Sequence, residues 1–229
     1  MSQIQNSTLD FLKKLSKNNN REWFAKHKEK YEQAHQNMIE FADALLLEMR
    51  KHDQIETLTG KKSLHRIYRD IRFSKDKTPY KKNFSGGFKR ATKLLRGGYY
   101  YHIENNNTLV GGGFWAPDKD DLKLIREHIA QDDEPLRTIL GSKGFKNRFG
   151  QLHGDQLKTA PKGFEKDHPA IDLLRYKSFI IYHQFDNDEV TKPDFHLKVN
   201  DYFKGMRPFL DYMSEVLTTD LNGEPLNGL

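Results

Sequence analysis

From Trp23 the chain places Trp23, His27, Tyr31, Ala34, Met38, Phe41, Leu45 and Met49 at spacings of four and three, the repeat of one helix face turned to a core. The pattern predicts a single long helix from a cap at Asn20 to about Lys51. A shorter helix capped by Ser7 or Thr8 runs to Leu15 before it, and Asn18-Asn19-Asn20 separates the two. Residues 98–115 change period: Tyr99 to Ile103, a polar Asn105-Asn106-Asn107 turn, then Leu109 to Trp115, which reads as a β-hairpin. Its Gly111-Gly112-Gly113 would weaken an ordinary strand, so either the rings of Tyr99 and Tyr101 cover bare backbone or a ligand approaches closely. Leu64, Ile67 and Ile71 follow no clean period, leaving strand and loop both open ahead of a turn at Thr78-Pro79. Pro117-Asp118 opens a helix burying Leu122, Ile125 and Ile129 and extending to Leu136–Leu140, with Gly141 and Gly144 as its stop. A looped stretch leads to a short helix at Pro169–Leu174 and a strand at Lys177–Phe185. Phe195 to Leu217 returns to helical register, with Gly205 and Pro208 predicting a kink or two stacked helices. Strands and helices are intermixed without strict βαβ alternation, which predicts the α+β class. The expected form is one domain over residues 1–229, with an antiparallel sheet including the 98–115 hairpin packed against a long N-terminal helix and C-terminal helices.

Composition is compatible with one sizeable core. Only 36% of the 229 residues are hydrophobic, but 15 Phe and 10 Tyr supply bulk, each aromatic burying on the order of 150–250 Å². The longest apolar runs, such as Leu45–Leu47 and Phe179–Tyr182, fall far short of a membrane span. The amino terminus has neither a basic lead nor a long apolar run, so the expectation is a cytoplasmic protein with no membrane partner. With no cysteine, disulfides, a thiol nucleophile and zinc–thiolate sites are excluded. Phosphate-loop, dinucleotide-fingerprint, H-E-x-x-H and G-x-S-x-G motifs are absent, and no cofactor is indicated.

Charge distribution changes this picture. Between Lys61 and Arg96 stand thirteen Lys or Arg against Asp70 and Asp76, a net +11, so the rest of the chain sums to −5 within a total of +6. That asymmetry points to an anionic partner. Within it, Arg66, Arg69 and Arg72 recur every third residue, interleaved with Tyr68, Phe73 and Tyr80 and flanked by Lys75, Lys77 and Lys81. Guanidinium groups grip phosphate or carboxylate through paired donors and stack on rings, and aromatic faces take bases at about 1–3 kcal/mol each. The bland alternative pairs Arg69 and Arg72 with Asp70, Asp76 or acids elsewhere and leaves the lysines solvated. As ion-pair partners the two aspartates would orient the arginines; as free carboxylates they could be catalytic.

The run Arg69-Asp-Ile-Arg-Phe-Ser-Lys-Asp-Lys-Thr-Pro-Tyr-Lys, the early Asn19-Asn-Arg-Glu-Trp-Phe, Gly111-Gly-Gly, and the late Leu157-Lys-Thr-Ala-Pro-Lys-Gly-Phe with Asp167-His-Pro resemble a widespread microbial family of conserved hypothetical proteins, a domain of unknown function. The resemblance covers nearly the whole chain. It implies a one-domain protein and brings no substrate, cofactor or catalytic residue with it.

A second basic stretch holds Lys158 and Lys162 and is followed by Arg175 and Lys177. Prolines and Gly163 mark an ordered surface loop, which would make one pocket with the first segment if the two fold together. The leading reading is a binding protein whose basic surface from Arg66 to Arg90 holds a polyanion such as nucleic acid or a phosphorylated ligand. Its rival is an enzyme for a small anionic substrate, with Arg69, Arg72 and Lys77 clamping a phosphate or carboxylate and His168 or Asp70 moving a proton. His102 and His153 are further titratable candidates, His168 before Pro169 also suits a helix cap, and a metal site from His153, Asp155 and His168 is the weakest option. A third reading is a protein-interaction module, in which the acidic last helix near Asp211 engages the basic patch of a second copy. The sequence leaves the oligomeric state open.

Overall fold

The structure, a computed structural model, describes residues 2–226. Ten helices and four strands follow in chain order among these residues: α1 (Asn6–Lys17), α2 (Arg21–Lys26), α3 (Lys28–Met49), α4 (Gly60–Ser63), β1 (Phe84–Lys89), β2 (Gly98–Ile103), β3 (Thr108–Phe114), α5 (Lys119–Gln131), α6 (Glu134–Gly141), α7 (Lys143–Phe149), α8 (Ile171–Leu174), β4 (Phe179–Phe185), α9 (Asn187–Val190) and α10 (Phe195–Val216). The strands form one antiparallel sheet in the order β1-β2-β3-β4. The fold class is therefore α+β, with the hairpin, the long N-terminal helix and the C-terminal helix all present. The chain divides into two compact units, and every strand gives residues to both. The first comprises residues 1–88, 100–110 and 184–201; the second comprises 89–99, 111–183 and 202–229.

In the first unit α1 packs on α3, burying Leu9, Leu12 and Leu15 of the one and Met38, Phe41 and Leu45 of the other. A buried polar latch fixes the start of α1. Asn37 Oδ1 accepts from Thr8 Oγ1 at 2.8 Å and from the Gln5 amide at 3.0 Å, while its Nδ2 donates to the Gln3 carbonyl at 2.8 Å. Such a group is stabilising only when its bonds are all made, as they are here. The helical stripe of residues 23–49 is interrupted at His27, which leaves helical geometry at φ −117° and ψ 21°. Its Nδ1 lies 2.8 Å from the Trp23 carbonyl, which also accepts the His27 amide at 3.1 Å, and its ring stacks on Trp23 at 4.0 Å.

Strand β1, Phe84–Lys89, had no clear signal because Gly86-Gly87 interrupts its alternation. The glycine has a local purpose: a Cβ at Gly86 would collide with the Tyr101 ring and the Ser63 carbonyl. Tyr101 is fully buried and shares a 2.7 Å hydrogen bond with Ser63. Tyr101 thus covers the backbone of Gly86, and what faces Gly111 and Gly113 is the main chain of Phe179 to Tyr182, with Gly113 at φ +121°. Neighbouring backbone, neither a tyrosine ring nor a ligand, occupies the space those two glycines leave open.

In the second unit Asp118 caps α5 by accepting from the amides of Asp120 and Asp121. The predicted continuation stops at Asp132, and a fresh helix starts at Glu134 with Pro135 in its first turn, where proline is tolerated. Helix α10 runs unbroken across Gly205 and Pro208, although the proline removes one main-chain donor. Phe203, Met206, Phe209 and Met213 on this helix are all fully buried, and such packing outweighs the local penalty. Arg90, counted in the basic window, is 0% exposed. Its guanidinium pairs with Asp211 and donates to Ser214 Oγ at 3.1 Å, so Asp211 is engaged by a buried arginine of its own chain. Arg90→Ala removes that packing and leaves the Ser214 group short of a partner; it should lower unfolding free energy by roughly 2–4 kcal/mol, read from the denaturant midpoint.

Candidate anion-binding site

The segment carrying the recognised motif is a loop closed on itself. Tyr68 and Tyr80 form an antiparallel bridge. The Arg69 amide donates to the Pro79 carbonyl at 2.9 Å, and the Lys81 amide to the Ile67 carbonyl at 2.7 Å. Inside the loop, Asp76 accepts from the Thr78 amide at 2.9 Å and from the Thr78 hydroxyl at 3.0 Å, an aspartate turn that proline at position 79 helps to set. Arg69 Nη1 crosses the loop to Asp76 Oδ2 at 2.7 Å and to the Thr78 carbonyl at 3.0 Å, with a further bond to the Thr78 hydroxyl. The order of that run is thereby explained: an arginine at one end, and an Asp-x-Thr-Pro turn at the other that receives it.

The loop is tied to α2. Asn19 takes both main-chain groups of Tyr80, donating from Nδ2 to its carbonyl at 2.9 Å and accepting its amide on Oδ1 at 3.1 Å. The Tyr80 ring, 5% exposed, stacks on Phe24 at 4.0 Å and 12°. Asn20 caps α2 through the Trp23 amide. The early Asn-Asn-Arg-Glu-Trp-Phe run and the basic loop are therefore one assembly, which sequence spacing did not reveal because asparagines so placed read only as caps and breakers.

These contacts sort the expected ligand-binding residues. Arg69 is committed to the loop's own frame. Arg72 is paired to Asp70 through Nε at 3.0 Å and Nη2 at 2.6 Å and lies over the Phe73 ring, an exposed pair of small energetic weight. Lys77 donates to the Ile71 carbonyl at 2.9 Å, and Tyr80 is a buried ring. Both aspartates serve as ion-pair partners. Arg66, Lys75, Lys81 and Lys82 form no ion pair among the described residues, although the Arg66 charge is close enough to help lower the Asp70 pKa, and the same segment carries two rings in solvent, Tyr68 at 53% and Phe73 at 97% exposure. Arg66 and Lys81 are close enough to repel: burial first, then the Arg66 charge, lowers the Lys81 pKa, and burial together with the Lys81 charge lowers that of His65. Two open clefts border the loop. One, of about 560 Å³, is lined by Asn19, Arg21, Asp76 and Lys77; the other, of about 220 Å³, by Arg69, Lys81, Lys82 and Glu104.

The remaining candidates lie in the second unit. Lys158 and Lys162 are exposed, Lys177 stands 3.7 Å from Asp155, and the buried Arg175 Nε has no hydrogen-bond partner. His168 Nδ1 accepts the Ala170 amide at 3.1 Å ahead of α8, but the N-cap of that helix is Ala170, with no side-chain cap bond, so His168 braces the approach to the helix without capping it. The His153 ring packs on Tyr182 at 4.2 Å. Among the described residues no three His, Asp or Glu side chains converge to hold a metal ion, and no helix is long and apolar enough to cross a membrane.

One protein family matches the chain over residues 7–212, described as conserved hypothetical protein, DUF2461. The chain belongs to that family. The Asn19 clamp and the closed loop both fall within the span matched by DUF2461. No curated protein and no solved structure matches the chain.

Hydrogen bonds from Thr78 first, and then the Arg69 ion pair, hold the Asp76 carboxyl down to about 2. A depressed carboxylate stabilises the fold above its unfolded value, near 3.9, and that contribution is lost as pH falls through the folded value. Wild type should therefore resist denaturant better than Asp76→Asn at pH 5, and the gap between their midpoints should close as pH falls from about 4 towards 2. A pH-independent gap would mean that the charge is not what holds the loop.

Proposed function

We propose that this protein binds a polyanion, single-stranded nucleic acid being the form its chemistry suits, through the face carrying Arg66, Lys75, Lys81 and Lys82 with the rings of Tyr68 and Phe73. The observation that carries this reading is a set of cations held in no ion pair among the described residues, with aromatic rings left in water, on one internally bonded loop. Burying apolar rings is the ordinary course, and crowding Arg66 against Lys81 costs electrostatic energy that a phosphate would recover. The bordering clefts are open to solvent. Arg69 and Asp76 build the frame, and the neighbouring lysines do the binding.

Each phosphate contact to a single strand contributes about −0.7 to the slope of log affinity against log salt. Lys81→Ala with Lys82→Ala should flatten that slope for a labelled oligonucleotide by roughly 1.4 and weaken binding at low salt, with circular dichroism unchanged. Binding insensitive to salt, or absent at low salt, would overturn the reading and direct the search to small anionic metabolites.

A further inference from the structure

Two carboxylates line the smaller cleft: Asp76, already engaged by Arg69 and Thr78, and Glu104, which no lysine or arginine among the described residues pairs. Glu104 directly follows β2 and lines the 220 Å³ cleft with Lys81 and Lys82. It is held there from several sides. Its Oε2 accepts from His102 Nε2 at 2.8 Å and from Asn107 Nδ2 at 3.2 Å. Its amide donates to Thr108 Oγ1 at 3.2 Å, and that buried hydroxyl donates back to the Glu104 carbonyl at 2.9 Å. His102 is positioned in turn, its Nδ1 lying 3.2 Å from the Tyr100 hydroxyl. A neutral ring with its proton on Nε2 satisfies both contacts, donating to Glu104 and accepting from Tyr100. Oε1 has no protein partner among the described residues, and the side chain is 25% exposed.

A carboxylate accepts hydrogen bonds and donates none, and beside a phosphate it repels. Its pre-orientation within a lysine-lined cleft suits a ligand that carries a hydroxyl donor next to its phosphates. Ribose meets that description through its 2′-hydroxyl, the group by which proteins tell RNA from DNA; carboxylates serve nucleotide riboses in the same way elsewhere. Tyr68 completes the arrangement. Its ring is exposed and lies 5.4 Å from that of Tyr80, which also lines the cleft, so a base can stack beside the sugar.

Resting on the polyanion reading above, we propose that Glu104 accepts a hydrogen bond from a ribose 2′-hydroxyl while Lys81 and Lys82 hold the flanking phosphates, making single-stranded RNA the preferred ligand over DNA. His102 and Asn107 act as positioning residues that keep one carboxylate oxygen turned to the sugar.

The test compares short labelled oligouridine with oligodeoxyuridine of the same length by fluorescence anisotropy at one salt concentration, the two differing only in the 2′-hydroxyl. Wild type should prefer the ribose form by roughly tenfold, the scale of one hydrogen bond to a charged group. Fully 2′-O-methylated oligouridine, which lacks the donor, should bind like the deoxy form without any change to the protein. Glu104→Gln and Glu104→Ala should shrink the preference to within about twofold, mainly by weakening the ribose form. Equal wild-type affinity for the two forms, or variants that tighten both equally, would overturn the 2′-hydroxyl contact and leave polyanion binding standing. Failure of every oligonucleotide to bind at low salt would overturn both.

Discussion

Two hydrogen bonds from one asparagine carry the site. By taking the amide and the carbonyl of Tyr80 together, Asn19 stands in for a neighbouring strand and satisfies main-chain groups that would be costly to leave unpaired beside a buried ring. The Tyr80 ring can then lie flat on Phe24. With that end of the loop fixed, the Tyr68–Tyr80 bridge sets the other end, and the Arg69–Asp76–Thr78 bonds fill the interior. The exposed positions of Tyr68, Phe73 and Lys82 and the half-buried one of Lys81 are consequences of that frame. A flexible loop would pay to order these side chains on binding; a preformed one does not.

Net charge is a poor guide to how many cations such a surface offers. Of the thirteen basic residues between Lys61 and Arg96, Arg90 is buried against Asp211 and Ser214 in the second unit, and Arg96 pairs there with Asp121. Arg69 is spent inside the loop and Arg72 on Asp70. What is left for a ligand is a smaller group whose members are held near one another, and proximity, more than total charge, is what raises local affinity for phosphate. The same reasoning gives the acidic last helix a bland role at Asp211, which serves an arginine of its own chain.

The sequence by itself determined the elements that repeat a period. The α3 stripe, the hairpin at 98–115, the Asn20 and Asp118 caps and the α+β class all follow from hydrophobic spacing and capping chemistry, because those signals are local. It also determined that residues 66–82 carry concentrated positive charge among rings, and that Asp70 and Asp76 were available to pair with arginines. Tertiary structure decided what no local signal encodes. Strand β1 forms because Gly86 lets the Tyr101 ring lie on its backbone, a contact between residues fifteen apart in the chain. Helix α10 passes through Pro208 because packing outweighs a missing hydrogen bond, and the 23–49 stripe leaves helical geometry at His27, whose ring and amide both bond the Trp23 carbonyl. Tertiary structure also separated Arg69, a structural brace, from Lys81 and Lys82, and brought Asn19 to Tyr80 and Glu104 to the lysines. Side chains of one type read alike in a sequence, and only the distances between them distinguish a group spent on the fold from one left over for a ligand.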